Sequence, residues 1–284
     1  VPPGTLDLHC HSTASDGKLA PAEVAALAAE RGVELLALTD HDTLVGVAEA
    51  QAAGAERGLR VMPGIELSAR WPRGQCHLLA WLPDPVPAAF LAWTEARSAE
   101  REERARQMVV LLQDQGLAIE WADVAREAQG NVGRPHVADA LVARGAARDR
   151  RDAFERLIGS GCPAYIPSGR LEPEQAIGVA ADAGALVALA HPYSLGLQDD
   201  ELERTIAAFA AAGLGAIEAH RGDQGPAEQA AYVALARRHG LVVSAGSDFH
   251  EHEREATRRL GDDGDPGLAP ADREALLSRL PAAP

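Results

Sequence analysis

Short apolar runs recur along this chain, and most are followed by a segment with helical character. Seven of them read as strands: Thr5–Cys10, Glu34–Thr39, Arg60–Ser68, Gln75–Leu82, Ala185–Ala190, Leu214–Ala219 and Leu241–Ser244. Runs this apolar are the pattern of strands buried on both faces. Pro21–Arg31, Leu44–Arg57, Glu172–Ala183, Asp199–Ala212 and Pro226–His239 read as helices between them. The first opens on Pro, which suits a first turn, and stops before Gly32. Strand alternating with helix implies parallel βαβ units. One link breaks the alternation. Between Ser68 and Gln75 there is only a short stretch containing Arg-Trp-Pro-Arg-Gly, too short for a parallel crossover. A hairpin is expected there, and hence an irregular barrel.

From about Pro87 to Ser168 the chain reads as helical, with Glu95–Gln115 long and charged and Asp149–Ile158 a second helix. A helical insertion over residues 95–168 is expected to cap one domain that spans residues 1–284. The tail after Gly261 is rich in Asp, Gly and Pro and ends in a helix near Ala271–Leu280. There is no internal repeat.

With 284 residues, 46% of them hydrophobic, the chain can bury one large core. No apolar stretch approaches the roughly 20 residues that span a bilayer. No basic segment followed by an apolar run opens the sequence, so no signal peptide is expected. Three cysteines, Cys10, Cys76 and Cys162, form no C-x-x-C pair, which argues for a reducing, cytoplasmic setting and against a zinc finger. The net charge of -15 argues against duplex DNA, whose phosphates demand Lys and Arg. An acidic protein that handles phosphate needs local positive charge, and bound cations can supply it.

The chemistry gathers at the strand ends. In Thr5–His11, TLDLHCH, alternation puts Asp7, His9 and His11 on one face, where two imidazoles can grip one metal ion. Ser15-Asp16-Gly17 is a turn sequence. Thr39-Asp40-His41-Asp42 follows LLAL, Glu66 lies in Pro-Gly-Ile-Glu and His77 in Gln-Cys-His. Arg134-Pro135-His136 lies in the helical region, His191 follows ALVALA, and Asp248 and His250 follow LVVSAGS. Parallel barrels gather their active sites at the carboxyl ends of the strands. So many unpaired imidazoles and carboxylates at one barrel edge would be costly to bury, and metal coordination satisfies them together. Cys10 and Cys76 face away from the ligands and read as core. His220 ends a strand and stays open as a site residue; His239 and His252 read as solvated.

The ordered set D-L-H-C-H-S, S-D-G, T-D-H-D, P-G-I-E, C-H-L, R-P-H, A-H-P and S-D-F-H resembles the PHP (polymerase and histidinol phosphatase) family across nearly the whole chain. Within it, S-D-G, G-R-P-H and the final S-D-F-H look like the branch that acts on 3',5'-nucleoside bisphosphates and short RNA. The resemblance implies an α/β fold, a distorted (β/α)7 TIM-like barrel with a helical insertion. It also implies three divalent metal ions. His9, His11, Glu66 and Asp248 would hold the first; Asp16, His41 and His250 the second; and Glu66, His77 and His136 the third. Imidazole and carboxylate ligands suit Mn, Zn or Fe, with Mn the first choice.

The implied reaction is phosphoester hydrolysis by a hydroxide bridging two of the ions. Its substrate would be a nucleotide, with the 3'-phosphate of a bisphosphate removed to leave AMP, or the 5' end of a short RNA. Arg134 is a candidate phosphate clamp. His191 is a candidate phosphate contact, general acid or orienting residue. Asp42, with Asp40, is a candidate partner for His41 or for water. Histidinol phosphate is the alternative substrate. Amidohydrolase-type enzymes that cleave C–N bonds commonly use a carboxylated lysine as the bridging ligand; lysines are few, Lys18 is the evident candidate, and Glu66 already fits the bridge. A non-catalytic module, like some PHP domains attached to DNA polymerases, fits poorly with a complete ligand set. No membrane contact and no obligate protein partner are evident.

Overall fold

The computed structural model describes residues 5–128, 130–167, 169–251, 259–261 and 267–282; His252 and the acidic stretch 262–266 lie outside them. Seven strands run in sequential order through one sheet: β1 (Thr5–Cys10), β2 (Val33–Leu38), β3 (Arg60–Ala69), β4 (Cys76–Trp81), β5 (Leu186–Leu189), β6 (Ala216–His220) and β7 (Val242–Ala245). β1 to β3 pair in parallel, as do β5 to β7. β4 is antiparallel to both neighbours, so β3 and β4 form the expected hairpin. Its turn is pinned by close approach. Gly74 has φ +48, and a Cβ there would lie 2.1 Å from the Ser194 carbonyl oxygen.

The sheet curls until its two ends meet. Asp248 N–H donates to His9 O at 2.7 Å, and His11 N–H to Phe249 O at 2.9 Å. One apolar cluster draws together residues of strands as far apart as β1 (Leu8), β4 (Trp81) and β6 (Ala216), which places it inside a distorted barrel. Helices α1 (Pro21–Glu30) and α2 (Val47–Ala55) pack outside β1 to β3 through Val24, Ala28 and Ala50. α7 (Pro173–Asp182), α8 (Asp199–Ala211) and α9 (Pro226–Arg238) cover β4 to β7. Leu276 of α10 (Pro270–Arg279) joins the interior cluster.

Between β4 and α7 lie α3 (Ala88–Asp114), α4 (Trp121–Glu127), α5 (Arg134–Ala143) and α6 (Arg150–Ala153), the last running into a π-helical turn at Phe154–Ile158. They share a separate core of Met108, Leu112, Val124, Val137, Leu141 and Ile158. α3 begins seven residues before the expected helix. Its start is set by Pro87, whose carbonyl accepts the N–H groups of Phe90 and Leu91. No helix among the described residues is long and apolar enough to cross a membrane.

Candidate metal centre

Glu66, fully buried on β3, sits at the middle of a histidine cluster. Its Oε2 lies 3.3 Å from His9 Nε2, 3.2 Å from His11 Nε2 and 3.1 Å from His41 Nδ1. Its Oε1 lies 3.0 Å from both His77 Nδ1 and His191 Nε2. Asp248 Oδ1 adds contacts of 3.4 Å to His9 and 3.3 Å to His11. Four overlapping groups place ligand atoms within 4.8 Å of one another: His9, His11 and Glu66; His9, His191 and Asp248; His11, Asp16, His41 and His250; and His41, Glu66 and His77.

These contacts suit cations held among them. The buried atoms His11 Nδ1, His41 Nδ1, His77 Nδ1 and Glu66 Oε2 have no hydrogen-bond partner. Orphaned buried polar atoms are rare and costly. Nitrogen and oxygen atoms that each hold one ion at about 2.1 Å lie about 3 Å apart when they meet it at a right angle. The field also favours positive charge. Burial opposes ionisation of Glu66, Asp248 and Asp16, yet the surrounding imidazoles hold all three well below the usual carboxylate range. Burial likewise opposes a charge on His9, but Glu218, Glu66 and Asp248 raise its pKa well above the ordinary value.

Hydrogen bonds at the outer nitrogens select the tautomers. His9 Nδ1 faces Glu218 Oε1 at 2.8 Å, so it carries the proton and Nε2 offers a lone pair. His250 Nδ1 faces the Asp248 carbonyl at 2.9 Å, with the same result. Ser194 Oγ donates to Gln75 O at 3.0 Å, so His191 Nδ1, 2.8 Å away, must donate to Ser194 Oγ. That leaves the Nε2 lone pair of His191 aimed at Glu66. Burial lowers the pKa of His191, which keeps the lone pair available. His136 is built the other way. Its Nδ1 accepts from the Gly133 N–H at 3.0 Å, so the neutral ring presents an Nε2–H donor.

The structure thus gathers His9, His11, Asp16, His41, Glu66, His77, Asp248 and His250, as the motifs lead one to expect. It differs at two histidines. His191 stands among the ligand atoms, while His136 belongs to none of the groups found among the described residues. Asp42 also differs from expectation. It accepts from Ser68 N–H at 2.8 Å and pairs with Arg101, rather than meeting the His41 ring. Asp40 holds the loop after β1, accepting from Ser12 N–H, Ser12 Oγ and Ser15 Oγ, each at 2.7 Å. Cys10 and Cys76 lie in apolar clusters. His220 binds Gln229 at 3.0 Å and His239 binds Glu203 at 2.7 Å, both away from the cluster.

Several residues of the site were not singled out from the sequence. Glu218 on β6 bridges His9 and the His191 N–H, 2.8 Å from each. Arg221 is fully buried and donates to Asp248 Oδ2 at 3.2 Å. A Glu inside the apolar run AIEAH, followed by Arg, was the signal for this pair. On the other side Arg101, Arg104, Arg134 and Arg170 line a cavity of about 1200 Å³ together with Tyr165, Trp71, His41, His77, His136 and His191. Burial, with repulsion from Arg134 and Arg170, lowers the Arg104 pKa to about 10; burial and the neighbouring guanidinium groups do the same for Arg170. Arg134 was expected from its R-P-H motif; no motif announces Arg101, Arg104 and Arg170, because α3 and the loop before α7 bring them to it.

A barrel edge of imidazoles and carboxylates opening onto crowded guanidinium groups is the construction of a metal-dependent phosphoesterase. Relatives agree. The PHP domain family matches residues 7–123. The chain is 38% identical over 251 residues to a 3',5'-nucleoside bisphosphate phosphatase of Chromobacterium violaceum, covering 86% of this chain and 87% of that one. It is 37% identical over 251 residues to the 5'-3' exoribonuclease Rnm of Escherichia coli K12, covering 86% and 85%. A solved structure from Chromobacterium violaceum, described as an amidohydrolase with bound sulfate and no metal, superposes with a TM-score of 0.82 at 37% identity over 98% of this chain and 97% of that one. The chain belongs to the PHP family, and it is a hydrolase of phosphoester bonds.

Proposed function

We propose that this enzyme removes the 3'-phosphate from 3',5'-nucleoside bisphosphates and trims short RNA from its 5' end, using three divalent ions, Mn first among them. The observation that carries this reading is the placement of seven arginines, Arg101, Arg104, Arg134 and Arg170 among them, around the cavity that opens from the histidine cluster. Like charges crowd there in a chain of net charge -15, which suits a substrate that brings several negative charges. The activities named for the Chromobacterium violaceum and Escherichia coli relatives support the same substrates.

In this reading His9, His11, Glu66 and Asp248 would hold one ion, and Asp16, His41 and His250 a second. Glu66, His77 and His191 would hold the third, His191 taking the place first given to His136. Ions bound there lower the pKa of water and neutralise charge on phosphoryl oxygens. The chain supplies the rest. Arg134 donates to a phosphate of the substrate. His136 turns its Nε2–H toward a phosphoryl or leaving oxygen, and burial keeps its ring neutral by lowering the pKa. Trp71 and Tyr165 line the cavity wall with aromatic faces suited to a base.

Histidinol phosphate is a poorer match, because its amine would enter a cavity lined with arginines. The C–N hydrolase alternative lacks its bridging group: Lys18 is the chain's single lysine, it is exposed, and Glu66 occupies the centre. The test is release of AMP and phosphate from 3'-phosphoadenosine 5'-phosphate with Mn²⁺, for wild type and Asp248→Ala. AMP from the wild type alone supports the reading. Bound metal with no release from this substrate or from 5'-phosphorylated RNA removes the nucleotide assignment.

A further inference from the structure

We propose that Asn131 is a positioning residue for His41, through which the helical region sets the geometry of the site formed by Asp16, His41 and His250. The proposal rests on the metal-binding reading above. Asn131 lies in the link between α4 and α5, three residues before Arg134, and it is buried. It joins three separate parts of the chain. Its backbone N–H donates to Ala14 O at 2.7 Å, in the loop after β1. Its side-chain Nδ2 donates to His41 O at 2.8 Å, in the loop after β2. Its Oδ1 accepts from Ser98 Oγ at 2.8 Å, on α3. The amide orientation is not arbitrary. A carbonyl can only accept, so the NH₂ group must face His41.

The approach is as close as the backbone permits. A Cβ on Gly130 would lie 2.2 Å from Ala14 O, and a Cβ on Gly133 2.6 Å from the Arg101 guanidinium. His41 is held from two sides. Barrel strand β3 grips its flanks, with Asp42 N–H donating to Glu66 O at 3.0 Å and Glu66 N–H to Asp40 O at 3.3 Å. Those bonds use the backbone groups that face β3. The His41 carbonyl is held by Asn131. Beside it, Asp42 adopts φ +54, a conformation few non-glycine residues take, and its carboxylate is tied to Ser68 and to Arg101 of α3.

His41 shares two of the ligand groups, one with His11, Asp16 and His250 and one with Glu66 and His77. A small shift of its backbone therefore displaces the ligand atom that it offers beside Asp16 and His250. The same short link carries Arg134 and His136 on its far end. Docking of the helical region, substrate contact and metal geometry thus pass through one amide.

The experiment compares Asn131→Asp, Ser98→Ala and His250→Ala with wild type. Asn131→Asp keeps the shape, the backbone bond and the Ser98 contact, but sets an acceptor against the His41 carbonyl. Mn²⁺ content is measured by elemental analysis after competition with a chelator, and thermal stability is measured on metal-stripped protein. About a tenfold loss of affinity for one of the ions is expected in Asn131→Asp, with kcat falling more than KM rises, and a smaller loss in Ser98→Ala. A lower melting temperature with unchanged Mn²⁺ affinity would overturn the proposal and leave Asn131 a structural stitch. Unchanged affinity in a folded Ser98→Ala would overturn it if Asn131→Asp does not fold. If His250→Ala also keeps every ion, the metal assignment itself fails.

Discussion

Glu218 holds His9 and His191 at once: one oxygen accepts from His9 Nδ1–H and the other from the His191 backbone N–H, both at 2.8 Å. The two histidines come from β1 and from the loop after β5, so this carboxylate ties opposite parts of the barrel edge at the ligand cluster. Glu218→Gln would place an amide NH₂ or a weaker acceptor against His9 and release its tautomer. Metal affinity is expected to fall about 10- to 100-fold, with kcat/KM falling alongside. Chelator competition checks the first and steady-state kinetics the second. Wild-type affinity in a folded variant would sink the claim.

In the proposed reading His191 and His136 exchange the parts that the motifs suggested, and the exchange is measurable. His191→Ala should lose bound metal, because its Nε2 lone pair faces Glu66 at 3.0 Å. His136→Ala should keep all metal and lose roughly 10²- to 10³-fold in kcat, the scale for one hydrogen-bond donor to developing charge. Elemental analysis of the two purified variants decides the matter. Metal loss in His136→Ala with none in His191→Ala would restore the original assignment.

Much of this architecture was legible in the sequence, for local reasons. Strand and helix periodicity, and the short link Ala69–Gly74, located the barrel and its hairpin. The candidate ligands ride on short strand-end motifs, so their types and order show in the linear chain. The roles of His136 and His191 do not. They depend on what meets the far nitrogen of each ring, Gly133 N–H in one case and Ser194 Oγ in the other. Arg134 showed in its motif, but the other arginines of the cavity were hidden for a similar reason. On α3 they alternate with acids, so Arg101 and Arg104 look solvated until α5 and Arg170 fold against them.

That arginine cluster should discriminate by charge. Arg134→Ala is expected to raise KM for a bisphosphate about 10- to 100-fold, the scale of one or two charge-assisted hydrogen bonds. A substrate with a single phosphate should suffer less, because fewer of its charges meet guanidinium groups. Equal losses for adenosine 3'-phosphate and the bisphosphate would contradict a role in reading the second phosphate. Arg104→Ala, tested in parallel, separates the contribution of α3 from that of α5.

The helical region carries its own acid-sensitive fastening. Asp123, buried on α4, accepts from Arg144 at 2.6 Å and from the Glu120 N–H at 2.9 Å. The Arg144 bond, with the Glu120 N–H next, lowers its pKa from 3.8 to about 2. Because the folded pKa is depressed, the stabilisation is complete above the unfolded value near 4 and disappears as pH falls through about 2. Asp123→Asn removes the charge at every pH. Its melting temperature should therefore lie below wild type at pH 6 and converge on it as pH approaches 2. Acid protonation of the metal cluster affects both proteins alike, so the difference between the two melts isolates Asp123. A gap that stays constant from pH 6 to pH 2 would mean that packing, rather than the charged contact with Arg144, holds this corner.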